Sequence, residues 1–199
     1  MREVIIPHDP SRGPLTAVRR MLVHSSIAEL QVLGVYDRYC ECIDRASLER
    51  IHELIGPGWM PIELALEHYG ACDKLKLSDQ FIVDAGQRSG ENVGDALLVA
   101  GARTGVRAKD RSPWSFVGAF SRMGRRIFEG GSSQYVKIGP RTLQIEHLRN
   151  PLFAFHYYRH AHTGFLRKSF GSLGVEISDV SYSAYHSDKA QIDFRITWV

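Results

Sequence analysis

The chain has only three cysteines, Cys40, Cys42 and Cys72, in 199 residues. An odd number with no CxxC pair argues against a disulfide framework and for reduced thiols in the cytoplasm. Cys40 and Cys42 stand two apart, a poor start for a structural zinc knuckle. No apolar run reaches the length of a membrane span, and the first fourteen residues lack the apolar core of a secretory signal. A cytoplasmic protein without a transmembrane segment is therefore expected. Charge of one sign is also scarce. The net charge is +3, too mild to imply nucleic acid.

Catalytic signatures are missing too. Ser25, Ser26 and Ser121 are conceivable nucleophiles, but none sits in GxSxG. The glycines at 86, 90, 94, 101 and 105 follow no evident strand and lack the GK[ST] ending of a phosphate loop. Asp9, Asp37, Glu63, Glu67, Asp79 and Asp84 are scattered carboxylates of the kind that solvated helix faces carry. There is no HExxH. His156 and His160 are four residues apart and share a helix face, yet no acidic residue lies beside them in that stretch. His68 next to Tyr69 is a weak candidate for an axial haem ligand. No metal, no cofactor and no catalytic residue are expected.

What is present is amphipathic pattern. Asn150 suits a helix N-cap and Pro151 the first helical position. Phe155, Tyr158, His162, Phe165, Leu166, Ser169 and Phe170 then recur every three or four residues, one mostly apolar stripe. His162 on that stripe is expected to be partly buried and hydrogen-bonded, with His156 and His160 facing solvent or a partner. Gly164 interrupts the stripe. A glycine inside a helix costs about 1 kcal/mol relative to alanine, so close packing against a neighbour is the expected reason for it.

Ile192, Phe194, Ile196 and Trp198 alternate with Gln191, Asp193, Arg195 and Thr197, the mark of a strand with one buried face. Val175–Ile177, Tyr135–Ile138 and Thr142–His147 read as three further strands, and Val4–Ile6 could form a short edge strand. Earlier in the chain, Val18 to Leu33, Leu48 to Ile55 behind Ser47, Ile62 to Cys72 behind Pro61, and Phe81 to Ala85 behind Ser78 read as helices. So do residues 93–105 and Trp114 to Phe128, while 35–43 is ambiguous. The fold class expected is α+β. A helical N-terminal two-thirds packs against a small antiparallel sheet of four C-terminal strands, in one domain over residues 1–199.

Residues 155–198, beginning FHYYRHAHTGF and ending DFRITW, resemble the end of TRAPP/Bet3-like, 4-vinyl-reductase-like and haem-NO-binding-like domains. Over nearly the full length the chain also resembles a myxobacterial family of proteins of this size, DUF2378. IGPGWMPIELALEHYGA, FSRMGRRIFEGG, VKIGPRTLQIEHLRNPLFAF and the final FRITW carry that likeness. The first resemblance implies a ligand pocket. It does not carry its chemistry across. No cysteine follows Cys72, whereas 4-vinyl-reductase-like domains have a cluster there. Tyr182-Ser183-Ala184-Tyr185 departs from the Tyr-x-Ser-x-Arg that holds haem propionates. Bet3-like proteins hold an acyl chain on a cysteine in an apolar tunnel; Cys72 is the one cysteine here on a predicted core face and does not align with it.

The resulting expectation is a non-enzymatic sensor or regulatory module for a small apolar ligand, with Phe81, Trp114, Phe120, Phe155, Tyr158 and Phe165 walling the pocket. Alternatives are a ligand-free adaptor or homodimerisation module, and a haem-binding or enzymatic domain. A basic surface from Arg103, Arg107, Lys109, Arg111, Arg122, Arg125 and Arg126 would suit an acidic protein partner or anionic lipid. It lacks the aromatic platform of a nucleic-acid site.

Overall fold

A computed structural model describes residues 2–90, 113–172, 174 and 176–199. The helix expected over 93–105, with Gly94, Gly101 and Gly105, lies outside the described residues, as do Arg103, Arg107, Lys109 and Arg111.

Two short strands open the chain, β1 (Glu3–Ile6) and β2 (Ala17–Arg19). Helices α1 (Arg20–Val32), α2 (Tyr36–Cys42) and α3 (Arg45–Glu53) follow. Strand β3 (Trp59–Pro61) leads directly into α4 (Ile62–Lys74), and a helix α5 runs through 79–90. Next come α6 (Pro113–Ile127), β4 (Phe128–Glu129), β5 (Ser132–Gly139) and β6 (Thr142–Leu148). A 3-10 turn (Pro151–Ala154), α7 (His156–Gly171), β7 (Ile177–Tyr182) and β8 (Ile192–Trp198) complete it.

The expected four-strand sheet is corrected. The strands form a five-stranded antiparallel sheet in the order β1-β5-β6-β8-β7 and a three-stranded one in the order β3-β2-β4. Three of the eight strands among the described residues thus lie in the N-terminal half. The reason is length. Strands β2 and β3 have three residues each, too few to show a period of two, and exist only because Val18 pairs with Met60 and with Phe128. Strand β1 is specified by its partner β5, Val4 lying opposite Val136.

In β6 and β8 pattern and structure agree. On β8, Ile192, Phe194 and Ile196 are fully buried and Trp198 nearly so, while Arg195 is exposed. Leu143, Ile145 and His147 of β6 lie on the same buried face. Asp44, not Ser47, caps α3, its carboxylate accepting the Ser47 N–H at 2.9 Å. Asn150 caps the 3-10 turn through Leu152 N–H at 3.1 Å, so α7 starts five residues later than the Asn-Pro pair suggested.

The cap of α7 comes from far away. Asp73, at the end of α4, accepts the His156 and Tyr157 N–H groups at 3.0 and 2.7 Å. A carboxylate there satisfies two orphan donors and meets the positive end of the helix dipole. Helix α7 then runs between α4 and α5 on one side and β7 and β8 on the other. Gly164 and Gly86 make the close approach to α5 possible. A Cβ on Gly164 would run into the carbonyl oxygen of Val83, and one on Gly86 into that of Ala161.

Candidate functional site

Helices α1, α5, α6 and α7 and strands β5 and β6 enclose a cavity of about 210 Å³. Its wall is mostly apolar and aromatic: Leu22 on α1, Phe120 on α6, Tyr135 on β5, and Tyr158 and Phe165 on α7. Gly86 and Ala161 border it where α5 and α7 touch. Its exposed lining residues are Met21 and Ser25 on α1, Arg125 on α6, and Pro7. Below them Arg12 donates to the carbonyl oxygens of Gly131, Phe128 and Gly130 at 2.6–2.7 Å, which pins the β4–β5 turn. Gly130 has φ +92° there, a left-handed conformation suited to glycine, and it packs on the Pro14 carbonyl.

Two histidines reach this cavity. His147 comes from the inward face of β6 and His162 from the second turn of α7, and their ring centroids are 5.3 Å apart, edge to face. Phe153 lies 4.7 and 5.2 Å from them and Phe194 5.8 and 4.8 Å, so both rings are held by aromatic packing. His147 is 7% exposed, and its Nδ1 bonds the Ser133 hydroxyl at 2.9 Å. The Nε2 atoms of both histidines are buried and have no hydrogen-bond partner among the described residues. Burial pushes the His162 imidazole down to about 3 and His147 well below the usual range, where the His162 ring also opposes its charging. Both rings are therefore neutral at pH 7, with one unanswered nitrogen each.

Of the six expected wall residues, Phe120, Tyr158 and Phe165 line the cavity. Phe120 and Phe165 have centroids 6.1 Å apart. Trp114 lies elsewhere, edge to face on Trp198 at 4.9 Å with Lys137 over its ring. Phe155 packs against Gly70 of α4, and Phe81 is half-buried on α5 away from the cavity. His162 Nε2 has no hydrogen-bond partner among the described residues, where a bond was expected, and His147 was not singled out at all. The signal available was its place in the alternation Leu143, Ile145, His147, where an imidazole falls on the apolar face.

A second polar cluster lies behind the wall. His68 on α4 is fully buried, its Nδ1 at 2.9 Å from the Tyr39 hydroxyl and its Nε2 at 2.9 Å from Ser26 Oγ. The Cys72 thiol is 3.7 Å from the same Nε2. A serine beside a histidine invites comparison with a nucleophile and its base. The chemistry argues otherwise. Burial holds His68 down to about 3, and its orienting partner is a phenol, not a carboxylate that could stabilise an imidazolium. Burial also pushes the Cys72 thiol up, away from a reactive thiolate.

His156 and His160 do not simply face solvent. His156 Nε2 donates to Asp79 at 2.8 Å, and His160 Nε2 is 2.9 Å from the Tyr182 hydroxyl. Arg122, Arg125 and Arg126 do form an exposed face of α6. Among the described residues no helix is long and apolar enough to cross a membrane.

This arrangement of helices over a five-stranded antiparallel sheet is the fold of haem-NO-binding (H-NOX) proteins. An Fe(II) unliganded H-NOX protein from K. algicida superposes with a TM-score of 0.63 at 10% identity, over 91% of this chain and 96% of that one. A point mutant of T. Tengcongensis H-NOX gives 0.58 at 12% identity, over 89% and 96%. No family model and no curated protein matches the sequence, so the likeness to DUF2378 and to TRAPP-like proteins finds no support, and the haem-NO-binding likeness holds for the fold.

Proposed function

We propose that the chain is a non-catalytic sensor module and that its cavity takes a small, largely apolar ligand carrying one polar atom. The observation that carries this reading is the pair of buried, unpartnered Nε2 atoms of His147 and His162 on one cavity wall. A buried polar atom without a partner costs about 1–3 kcal/mol, and a ligand that bonds to it recovers that cost. Size bounds the ligand. An apolar cavity of about 150 Å³ accepts benzene. Drug-sized ligands occupy roughly 300–1,000 Å³. At about 210 Å³ the cavity suits a molecule a little larger than benzene. Because α5 and α7 share the wall and touch through glycines, filling the cavity would bias how closely they pack, which is how a sensor shifts its population.

Haem binding is a second reading, favoured by the fold. One similar structure concerns heme distortion in the H-NOX family, with a TM-score of 0.57 at 13% identity. Residues 91–112 contain no His, Cys, Met or Tyr, so an axial ligand would have to come from elsewhere, and His147 and His162 are the imidazoles at the cavity. Donors therefore exist, but room does not. A porphyrin belongs with the larger ligands of the range above, and about 210 Å³ falls below that range. On this volume the small-ligand reading is preferred.

Native mass spectrometry of the purified full chain, with an absorption spectrum, separates the readings. A bound small organic mass without a Soret band is the expected result, lost in His162→Leu. A Soret band and the mass of haem would replace this reading by the second. Protein that carries no ligand and binds none from an extract of small metabolites would overturn both.

A further inference from the structure

We propose that Asp79, His156 and His160 form a binding site for a divalent first-row transition metal of the zinc type, separate from the cavity. The three side chains come from two helices. Asp79 stands at the start of α5, and His156 and His160 lie one turn apart on α7, so both imidazoles project from one helix face.

Their ligand atoms converge. Nε2 of His156 is 2.8 Å from one Asp79 carboxylate oxygen, and Nε2 of His160 is 3.8 Å from the other. One ligand atom from each residue lies within 4.8 Å of both others. The two imidazole centroids are 4.2 Å apart with planes tilted by 41°. A metal bound at about 2.0–2.2 Å to each of three tetrahedral ligands would place them roughly 3.3–3.6 Å apart. The observed spread needs only side-chain adjustment to reach that.

An exposed Asp–His ion pair alone would be a weak surface contact. Here a second imidazole, which also meets the Tyr182 hydroxyl, is brought to the same carboxylate. Two neutral nitrogens and one carboxylate oxygen are a borderline-soft set that prefers Zn²⁺, Ni²⁺ or Cu²⁺ over Mg²⁺ or Ca²⁺. Three protein ligands leave one tetrahedral position for water.

The proton inventory is simple. Without metal, His156 Nε2–H donates to Asp79, and the Tyr182 hydroxyl lies 2.9 Å from His160 Nε2. The metal takes both Nε2 lone pairs. The His156 proton then resides on Nδ1, and the Tyr182 hydroxyl gives up its bond to His160 Nε2. A metal here ties the start of α5 to the start of α7, beside the Asp73 cap.

Titration calorimetry of the full chain with Zn²⁺, and Co²⁺ absorption as a report on geometry, test this. One equivalent is expected, with a Co²⁺ spectrum of tetrahedral or five-coordinate type and no thiolate charge-transfer band. His160→Ala and Asp79→Asn each weaken binding at least tenfold, His147→Phe leaves it unchanged, and saturating Zn²⁺ raises the unfolding temperature of the parent but not of Asp79→Asn. Asp79 is exposed and the two histidines are partly buried, so circular dichroism of the variants without metal controls for folding. Binding that survives Asp79→Asn and His160→Ala, that is lost in His147→Phe, or that is absent at millimolar Zn²⁺ overturns the proposal.

Discussion

His68 carries the clearest pH signature at the residue scale. Burial holds its folded pKa near 3, against about 6.5 when unfolded. The unfolded chain therefore binds one more proton between those values. Above pH 7 the group has no effect, and stability falls as pH drops from 6.5 towards 3, by up to about 1.4 kcal/mol per pH unit. At pH 5 this amounts to about 2 kcal/mol. Urea midpoints of parent and His68→Leu, compared at pH 7 and pH 5, measure it. The variant is less stable overall, because Tyr39 and Ser26 lose their partner, but its decline with pH is shallower by that amount. Were the two declines parallel, His68 would be titrating normally in the fold.

His162 makes the opposite case. Its Nε2 is buried and unanswered, so His162→Leu should stabilise the ligand-free protein by about 1 kcal/mol while removing the ligand. Chemical denaturation of ligand-stripped protein gives the sign. Loss of stability would mean that a buried water or other partner already satisfies the ring.

At the scale of elements, α7 depends on two contacts outside itself. Its first turn is capped by Asp73, so Asp73→Ala should cost about 1–2 kcal/mol. Asp73→Asn should recover part of that through its remaining carbonyl. Its middle depends on the paired glycines. Gly164→Ala places a methyl against the Val83 carbonyl, a backbone obstacle that no rotamer change relieves. We expect a loss of about 3 kcal/mol, seen as a fall of roughly 6–12 °C in the unfolding temperature. Gly86→Ala should act similarly against Ala161, and the double variant should lose less than the sum, because one separation of the helices relieves both. Additive losses would show that the two contacts open independently.

For the whole molecule, the cavity couples both halves of the chain, since its wall takes residues from α1 as well as β6 and α7. A ligand specific to the folded state should therefore stabilise the entire cooperative unit. At a hundred times its dissociation constant it adds about 2.7 kcal/mol, or roughly 5–11 °C. Calorimetry with the ligand identified by mass spectrometry checks this. Two separated transitions, only one of them shifted, would show that the halves unfold apart.

By itself the sequence determined the longer elements, because periodicity is a local property. The strict alternation from Ile192 to Trp198 and the stripes of α6 and α7 are legible without any partner. It also marked Gly164 as a packing position, since a glycine inside a helix is a cost that calls for a neighbour. The three-residue strands were not legible, being too short for a period and dependent on distant pairing. The site was legible only in part. Phe120, Tyr158 and Phe165 were read as apolar faces, and the fold turned them to one cavity. That His147 and His162 meet there, and that Asp79 meets His156 and His160, was decided by tertiary structure alone. The residues involved are separated by 15 and by 77 positions, and only packing brings such groups within reach of one atom.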